Sequence, residues 1–291
     1  MFHSLLKLSL IGLICLPLLN QSLNIEPQVI AENNNRQIIL HHSSTTESEA
    51  QLKIKNLEFK ISSISLPCPD DNCIIDFEIQ NKKDLTDAEI ETIISYQDLF
   101  QKTIVKIPYN LWQPLNKVIF SFDKNIVRGA ANGNQIRLRI VNITDEEFTA
   151  VLIHELGHIA DLGSLQGDTD STKSNFPDGK IATYANDPSV KFYAAYWTNS
   201  RQIKDTDSDQ QNFISGYSRT DCFEHFAETF LTYVLHSDML KYKNPDQYNY
   251  FKDNVFNRFE YANFSKINES DFNHYFYDST KQPYNFEGFL E

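Results

Sequence analysis

The stretch VLIHELGHIADLG, residues 151–163, is the part of the sequence that decides the fold. It places His154 and His158 four residues apart, with Glu155 directly after the first histidine. On an α-helix, side chains four apart lie on one face, so the two imidazoles can bind one metal ion together. Glu155 can then reach a water molecule beside the metal without being a ligand. This spacing is typical of a catalytic zinc helix, and the alternative is an amphipathic surface helix without metal.

The residues before this stretch predict where its helix begins. Thr144 is a natural N-cap, and Glu147, three residues later, completes a capping box. Ile143 and Phe148 flank the cap and can form a hydrophobic staple. We expect the helix to end near Gly163. Because a catalytic zinc ion has three protein ligands and one open position, a further ligand must come from elsewhere in the chain.

The third ligand is not expected on the same helix. One class of zinc peptidases has a third histidine six residues after the second, but Ser164 stands there, which excludes that class. The stretch SGYSRTDCFEHFAETF, residues 215–230, predicts a second helix with Glu224 and Glu228 on one face. We predict that Glu224 binds the metal and that Glu228 orients a ligand histidine through its other ring nitrogen. Asp161 is a further candidate for orienting a ligand, and the alternative for the two glutamates is a solvated helix face.

Together, HELGHIAD and SGYSRTDCFEHFAETF resemble the gluzincin peptidases related to anthrax lethal factor and the bacterial Pro-Pro endopeptidases. That family carries HExxH on one helix and an EFFAE-like segment on the next, with a tyrosine seven residues before the ligand glutamate. The resemblance implies a zinc-dependent endopeptidase with one Zn²⁺ per chain. The residues that it assigns to the site are the ligands His154, His158 and Glu224, the general base Glu155, and the oxyanion-stabilising Tyr217.

The resemblance also implies a fold and a substrate. We expect an α+β, zincin-like domain with a small twisted sheet, the HExxH helix and a second, glutamate-bearing helix. The family pairs an extended protein or peptide substrate with an edge strand beside the cleft, and QIRLRIV, residues 135–141, precedes the zinc helix here. The residues expected to bind substrate are Gln135, Ile136, Arg137, Leu138 and Arg139. One departure from the family is His225, which replaces an aromatic residue, and another is the long loop between the two helices.

The rest of the sequence predicts three regions within the 291 residues. Residues 1–22 carry Lys7 before an apolar stretch at 8–19, which is the pattern of a signal peptide. We therefore expect a secreted or cell-surface protein, the alternative being an uncleaved membrane anchor. Residues 23–83 are interpreted as a linker and a small β-rich region, and residues 84–291 as the zincin-like metallopeptidase domain.

Charge and cysteine content limit the partners and the environment. The formal net charge of −13 argues against nucleic acid and anionic membranes as partners. We expect a monomer with no membrane contact apart from anchoring by the leader. Cys68 and Cys73 flank a short turn and predict a local disulfide in an exported protein, the alternative being two free thiols. Cys222 lies in a helical pattern and is expected to be a buried, inert thiol.

Two other functions compete with a peptidase. A non-catalytic binding or adhesion protein could retain the scaffold, but it would need to lack a base or an oxyanion group, and Glu155 and Tyr217 are both present. A structural zinc site would need a fourth protein ligand, which Asp161 could supply.

Overall fold

The computed structural model describes residues 63–69, 71–81, 84–205 and 212–291. The leader predicted at residues 1–22 lies outside the described residues, as does the predicted linker with the first strand-like residues of the β-rich region. The described residues form a mixed α+β fold, as predicted, with a five-stranded sheet, a small hairpin and several helices. Among these helices, none combines the length and the apolar composition that a bilayer crossing requires.

The larger sheet holds five strands in the spatial order β1-β2-β3-β5-β4. Their bounds are Ser63–Cys68 for β1, Asp71–Gln80 for β2, Lys117–Ser121 for β3, Gly129–Asn132 for β4 and Gln135–Arg139 for β5. β2, β3 and β5 run parallel, while β1 and β4 pair antiparallel with β2 and β5. Alternate side chains on the central strands are fully buried, among them Val118, Phe120, Ile136 and Leu138, so one face of the sheet forms part of the core.

β1 and β2 belong to this main sheet. A disulfide between Cys68 and Cys73 closes their hairpin, as the sequence predicts. β2 then pairs in parallel with β3. β1 and β2 are therefore strands of the main sheet rather than a separate β-rich region, and the predicted boundary at residue 83 would cut this sheet between β2 and β3. Alternating apolar residues reveal a strand, but they do not reveal a partner that lies far along the chain.

Seven α-helices lie within the described residues. They are Asp87–Ile104 (α1), Asp145–Ile159 (α2), Pro188–Tyr196 (α3), Cys222–Leu235 (α4), Ser237–Lys243 (α5), Pro245–Tyr250 (α6) and Phe286–Leu290 (α7). The N-cap of α2 is Thr144, whose Oγ1 accepts a hydrogen bond from the backbone N–H of Glu147 at 3.2 Å. The return half of the predicted capping box does not form, because the Glu147 carboxylate pairs with Arg128 at 2.7 Å. After Ile159 the helix continues as a π-helical turn, Ala160–Ser164, and so ends close to the predicted Gly163.

α2 and α4 cross closely because a glycine stands at their contact. A Cβ atom at Gly157 would lie 3.0 Å from Cα of Ala227 and 3.1 Å from Cβ of Phe230, so a larger residue there would push the helices apart. The N-cap of α4 is Asp221, whose Oδ1 accepts a hydrogen bond from the backbone N–H of Glu224 at 2.9 Å. These two features bring the first turn of α4 against the histidine face of α2.

The edge strand beside α2 is β4, not β5. β5 pairs with β3 on one side and β4 on the other, so its backbone groups are already used in the sheet. The prediction that an edge strand is formed by Gln135, Ile136, Arg137, Leu138 and Arg139 is therefore wrong, because a substrate backbone cannot pair with a strand that has a neighbour on each side. β4 has a neighbour on one side only among the described strands. Its sequence, GAAN, lacks the β-branched and aromatic residues that favour strands, which is why the pattern did not reveal it.

Candidate metal centre

Three side chains from α2 and α4 meet at one point. Nε2 of His154 lies 3.1 Å from Oε2 of Glu224, and Nε2 of His158 lies 3.4 Å from the same oxygen. The three nearest ligand atoms lie within 4.8 Å of one another. His154, His158 and Glu224 therefore form a group that could hold a metal ion, and they are the three ligands that the sequence analysis selected.

The charge state of this group suits a cation. Burial opposes a charged Glu224, but hydrogen bonds with His154 and His158 outweigh it and hold the pKa of this carboxyl well below its ordinary range. For His154, burial lowers the pKa, but the hydrogen bonds with Glu224 and Glu228 together raise it by more. The pKa of His154 therefore lies well above its ordinary value. Without metal the carboxylate thus attracts protons onto the imidazoles. A metal ion would replace those protons, since ligand histidines bind in the neutral form.

Glu228 supports His154 from the opposite side of the ring. Its Oε1 lies 3.0 Å from Nδ1 of His154, so Nε2 of that histidine is left to point at the ligand group. The carboxylate is fully buried, and its Oε2 accepts hydrogen bonds from the Ser215 hydroxyl at 2.5 Å and the Ser279 backbone N–H at 3.0 Å. Glu228 thus occupies the orienting position expected for it.

Glu228→Gln should weaken metal binding without unfolding the protein. The amide keeps the volume of the side chain, but it removes the negative charge beside Nδ1 of His154. Loss of such an orienting partner typically lowers metal affinity by about 10–100-fold. The zinc dissociation constant, measured by competition with a chromophoric chelator, checks this. Glu260→Gln is the control, because Glu260 also accepts a hydrogen bond, from the Tyr248 hydroxyl at 2.6 Å, but it is exposed and lines neither of the cavities beside the ligand group. Unchanged affinity in Glu228→Gln would contradict the orienting role.

Tyr217 lies beside the ligand group on a 3₁₀ turn before α4. Its hydroxyl donates a hydrogen bond to Oε1 of Glu224 at 3.1 Å, and its ring centroid is 6.1 Å from that of His154. Burial, followed by the charge of Glu224, raises the pKa of the Tyr217 hydroxyl far above neutrality. The group is therefore a proton-bearing donor at physiological pH.

Glu155 is buried next to the edge strand. Burial raises the pKa of its carboxyl, while the charges of His154 and His158 lower it by less. Its Oε2 is buried and has no hydrogen-bond partner among the described residues. A buried acceptor without a partner is costly in a folded protein, so this oxygen is available to accept a hydrogen bond from a molecule in the cleft.

Gly129 in β4 leaves the room that Glu155 occupies. A Cβ at this position would overlap Oε1 of Glu155 and would lie 2.7 Å from Cγ1 of Val151. We expect Gly129→Ala to displace the Glu155 carboxylate. A misplacement of about 1 Å can cost roughly 10²-fold in rate. If the chain is the peptidase that the resemblance implies, hydrolysis should fall while zinc content, measured by elemental analysis, stays at the wild-type level, because the atoms nearest to an added Cβ belong to Glu155 and Val151 rather than to a ligand. Full activity in this variant would show that the spacing between strand and helix is unimportant.

Two adjoining cavities open on the centre. Their volumes are about 480 Å³ and about 320 Å³. Both are lined by Val127, Gly129, His154, Glu155 and Tyr217. Together they form a cleft, with the ligand group and the start of β4 in its middle.

Asp161 lies apart from the ligand group. It is fully buried in the π-helical turn, and its Oδ1 accepts a hydrogen bond from the hydroxyl of Tyr193. Burial raises the pKa of its carboxyl to about 7, and His158 acts on it only as a nearby charge. The described residues that could hold a metal ion do not include Asp161. It therefore helps to anchor the end of α2 against α3.

The sequence analysis missed the segment that closes one side of the cleft. The backbone N–H of Tyr217 donates to the carbonyl of Tyr277 at 2.7 Å. Arg128, directly before β4, pairs with Asp278 at 2.5 Å and donates to the Thr280 hydroxyl at 2.7 Å. No local pattern links residues 277–280 to a helix fifty positions earlier, so only the folded chain reveals these contacts.

His225, the departure from the family pattern, points away from the centre. It is fully buried, its Nδ1 accepts a hydrogen bond from Nε1 of Trp197 at 3.1 Å, and its Nε2 lies 3.0 Å from the amide of Gln247. It is a core residue and takes no part in the metal centre.

No known protein-family model matches the chain, and no curated protein matches it in sequence.

Proposed function

We propose that this chain is an exported, zinc-dependent endopeptidase with a zincin-like fold. The observation that carries the proposal is the convergence of His154, His158 and Glu224 beside a buried, unpartnered oxygen of Glu155 in a cleft. Two histidines and one carboxylate are a common ligand set of catalytic zinc, and they leave a coordination position open to the cleft. The resemblance of the two helix motifs to the gluzincin peptidases supports the same reaction, and the leader-like residues 1–22 support export.

The side chains around the centre supply the remaining chemistry. When bound, zinc would act as a Lewis acid toward the scissile carbonyl and would lower the pKa of water. Glu155 accepts the proton of the attacking water, for which its raised pKa is suitable. Tyr217 donates a hydrogen bond to the oxyanion that develops on the carbonyl oxygen. Glu228 holds His154 in the correct tautomer and orientation.

The free edge of β4 is the position proposed for the substrate backbone. Gly129–Asn132 lies beside Glu155 and lines the cleft at three of its four residues, Gly129, Ala130 and Ala131. An extended peptide can add to such an edge through backbone hydrogen bonds, and its side chains then project alternately to either side. β4 takes over the role that the sequence analysis gave to β5.

Two measurements test the proposal. The purified protein should contain one zinc ion per chain by elemental analysis, and it should cleave a protein or a quenched-fluorescence peptide library. A chelator should abolish the cleavage, and added Zn²⁺ should restore it. Zinc binding without cleavage of any library member would favour the non-catalytic binding protein. A closed shell of four protein ligands, seen by X-ray absorption, would favour structural zinc.

Tyr217→Phe should lower the rate of hydrolysis and leave the protein folded. Removal of one oxyanion-stabilising donor typically lowers kcat by about 10²–10³-fold. We expect a change of that size in kcat, a small change in KM and retained zinc. Tyr242→Phe is the control, since Tyr242 is 60% exposed on α5 and remote from the cleft. If Tyr217→Phe hydrolyses peptides like the wild type, another group stabilises the oxyanion.

A further inference from the structure

The two halves of the cleft carry opposite charge. We call the larger cavity the cationic half and the smaller cavity the acidic half. Beyond their shared residues, the cationic half is lined by Arg128, Arg139 and Lys281, with the carboxylates of Glu228 and Asp278. The acidic half is lined by Asp178, Asp221 and Glu224, and none of the described residues that line it is a lysine or an arginine. Because the whole chain has a net charge of −13, the cationic half differs from the average surface.

Internal ion pairs do not cancel the positive charge of the cationic half. Arg128 contributes no free positive charge, since it pairs with both Glu147 at 2.7 Å and Asp278 at 2.5 Å, and the three groups together carry one negative charge. Glu228 is committed to His154. Among the described residues, Arg139 donates to the backbone carbonyls of residues 124 and 126, both at 3.3 Å, and these neutral groups do not cancel its charge.

Lys281 adds a second cation at the same end of the cleft. It is exposed, and it follows directly on Thr280, which is held by Arg128. No ion pair of Lys281 is seen in the described part of the chain. Arg139 from the sheet and Lys281 from the C-terminal segment therefore both contribute charge available to a ligand.

The acidic half keeps negative charge even when a metal ion takes up the carboxylate of Glu224. Asp221 lies at the N-terminus of α4, where its Oδ1 accepts hydrogen bonds from the backbone N–H groups of Phe223 and Glu224. Asp178 stands at a turn where its backbone pairs with that of Ile181, and this leaves its carboxylate at the cavity wall. An acidic ligand side chain would be repelled here.

We propose that the cleft selects peptides by the order of their charges. A preferred substrate has an acidic side chain on the side of the scissile bond that faces the cationic half, and a neutral or basic one on the side that faces the acidic half. This inference rests on the proposed peptidase function, because a scissile bond at the metal centre defines the two sides. Charge complementarity of this kind acts mainly on specificity and on the rate of encounter.

Two peptides with one shared core and exchanged ends test the proposal. One carries Glu residues before the core and Lys residues after it, and the other has the reverse order, so composition and net charge are equal. A third peptide carries Ala at both ends. Binding to the zinc-loaded Glu155→Gln protein is measured by fluorescence anisotropy, and cleavage is measured with the wild type. We expect one order to bind about 5-fold more tightly than the other, which is the upper end for one exposed ion pair. The difference should shrink at high salt.

Charge-changing variants identify the residues responsible. Lys281→Glu should reduce the preference for the favoured order, whereas Lys191→Glu should not, because Lys191 is an exposed residue of α3 that lines neither half. Asp178→Asn should weaken the selection against acidic peptide side chains in the acidic half. Asp170→Asn is its control, because Asp170 is exposed in a loop outside the cleft.

The outcomes separate this inference from the proposed function. Equal binding and equal cleavage of both orders would overturn the charge selection and leave the peptidase intact. Ordered binding to Glu155→Gln, together with no cleavage by the wild type, would overturn the peptidase and retain a charge-selective peptide cleft. A preference that Lys281→Glu and Asp178→Asn both leave unchanged would overturn the assignment to these two halves.

Discussion

Glu155→Gln is expected to keep its zinc and lose peptide hydrolysis by about 10²–10⁴-fold, the usual contribution of a positioned general base. The amide has the same shape as the carboxylate, so it fits the space beside Gly129. It cannot accept a proton from water at neutral pH. Glu155 is adjacent to His154 in sequence, but it is not in the group that could hold the metal, so metal affinity should stay close to that of the wild type.

The measurement combines zinc content with kcat/KM on a cleaved peptide. Glu146→Gln is the matched control, because Glu146 lies on the first turn of the same helix, is exposed and is outside the cleft. The control should hydrolyse at the wild-type rate. Hydrolysis by Glu155→Gln within a few-fold of wild type would mean that another group acts as the base. Loss of zinc from the same variant would instead place Glu155 among the ligands.

The central residues could be predicted because helices repeat locally. His154 and His158 share a face through their spacing alone, and the same argument puts Glu224 above Glu228 on the second helix. The capping residue Thr144 fixed the start of α2, and the glutamate pair stood among apolar residues, where uncompensated charges are costly. The structure brings these two faces together through the close contact at Gly157.

The edge of the sheet could not be predicted in the same way. QIRLRIV has a strong alternating pattern because β5 is buried on one face between two neighbours, and its place just before the zinc helix made it the candidate for the edge strand that the resemblance implies. The true edge strand, β4, is short and consists of Gly, Ala and Asn. Position 129 must be glycine because Glu155 occupies the space that a larger side chain would need. The contact that builds the site therefore also excludes a residue of high strand propensity from this position.

The C-terminal segment was missed in part because two of its contacts with the site are made through the backbone. The Ser279 N–H bonds to Glu228, and the Tyr277 carbonyl bonds to the N–H of Tyr217. Such contacts place few demands on side chains, so they leave little pattern in the sequence. They nevertheless tie the orienting carboxylate and the oxyanion donor to one segment, and that segment also reaches β4 through the ion pair between Asp278 and Arg128.

Glu224→Gln is the second variant with a large expected effect, since it removes a ligand rather than a neighbour of one. We expect zinc affinity to fall by more than the roughly 10–100-fold assigned to loss of an orienting partner. The amide is a weaker ligand than the carboxylate, and the two imidazoles lose the negative charge that holds them at 3.1 Å and 3.4 Å. Peptide hydrolysis should be lost at zinc concentrations that saturate the wild type.

The order of zinc affinities is the decisive readout. The wild type and Glu260→Gln should bind most tightly, Glu228→Gln less tightly and Glu224→Gln least, because the three glutamates lie respectively outside the centre, behind a ligand and within the ligand group. Circular dichroism and thermal unfolding of the metal-free proteins establish that each variant is folded. Wild-type affinity in a folded Glu224→Gln would remove this carboxylate from the coordination sphere, and the third ligand would have to be another residue. If zinc affinity fell as much in Glu228→Gln as in Glu224→Gln, the orientation of His154, rather than direct ligation by α4, would limit metal binding.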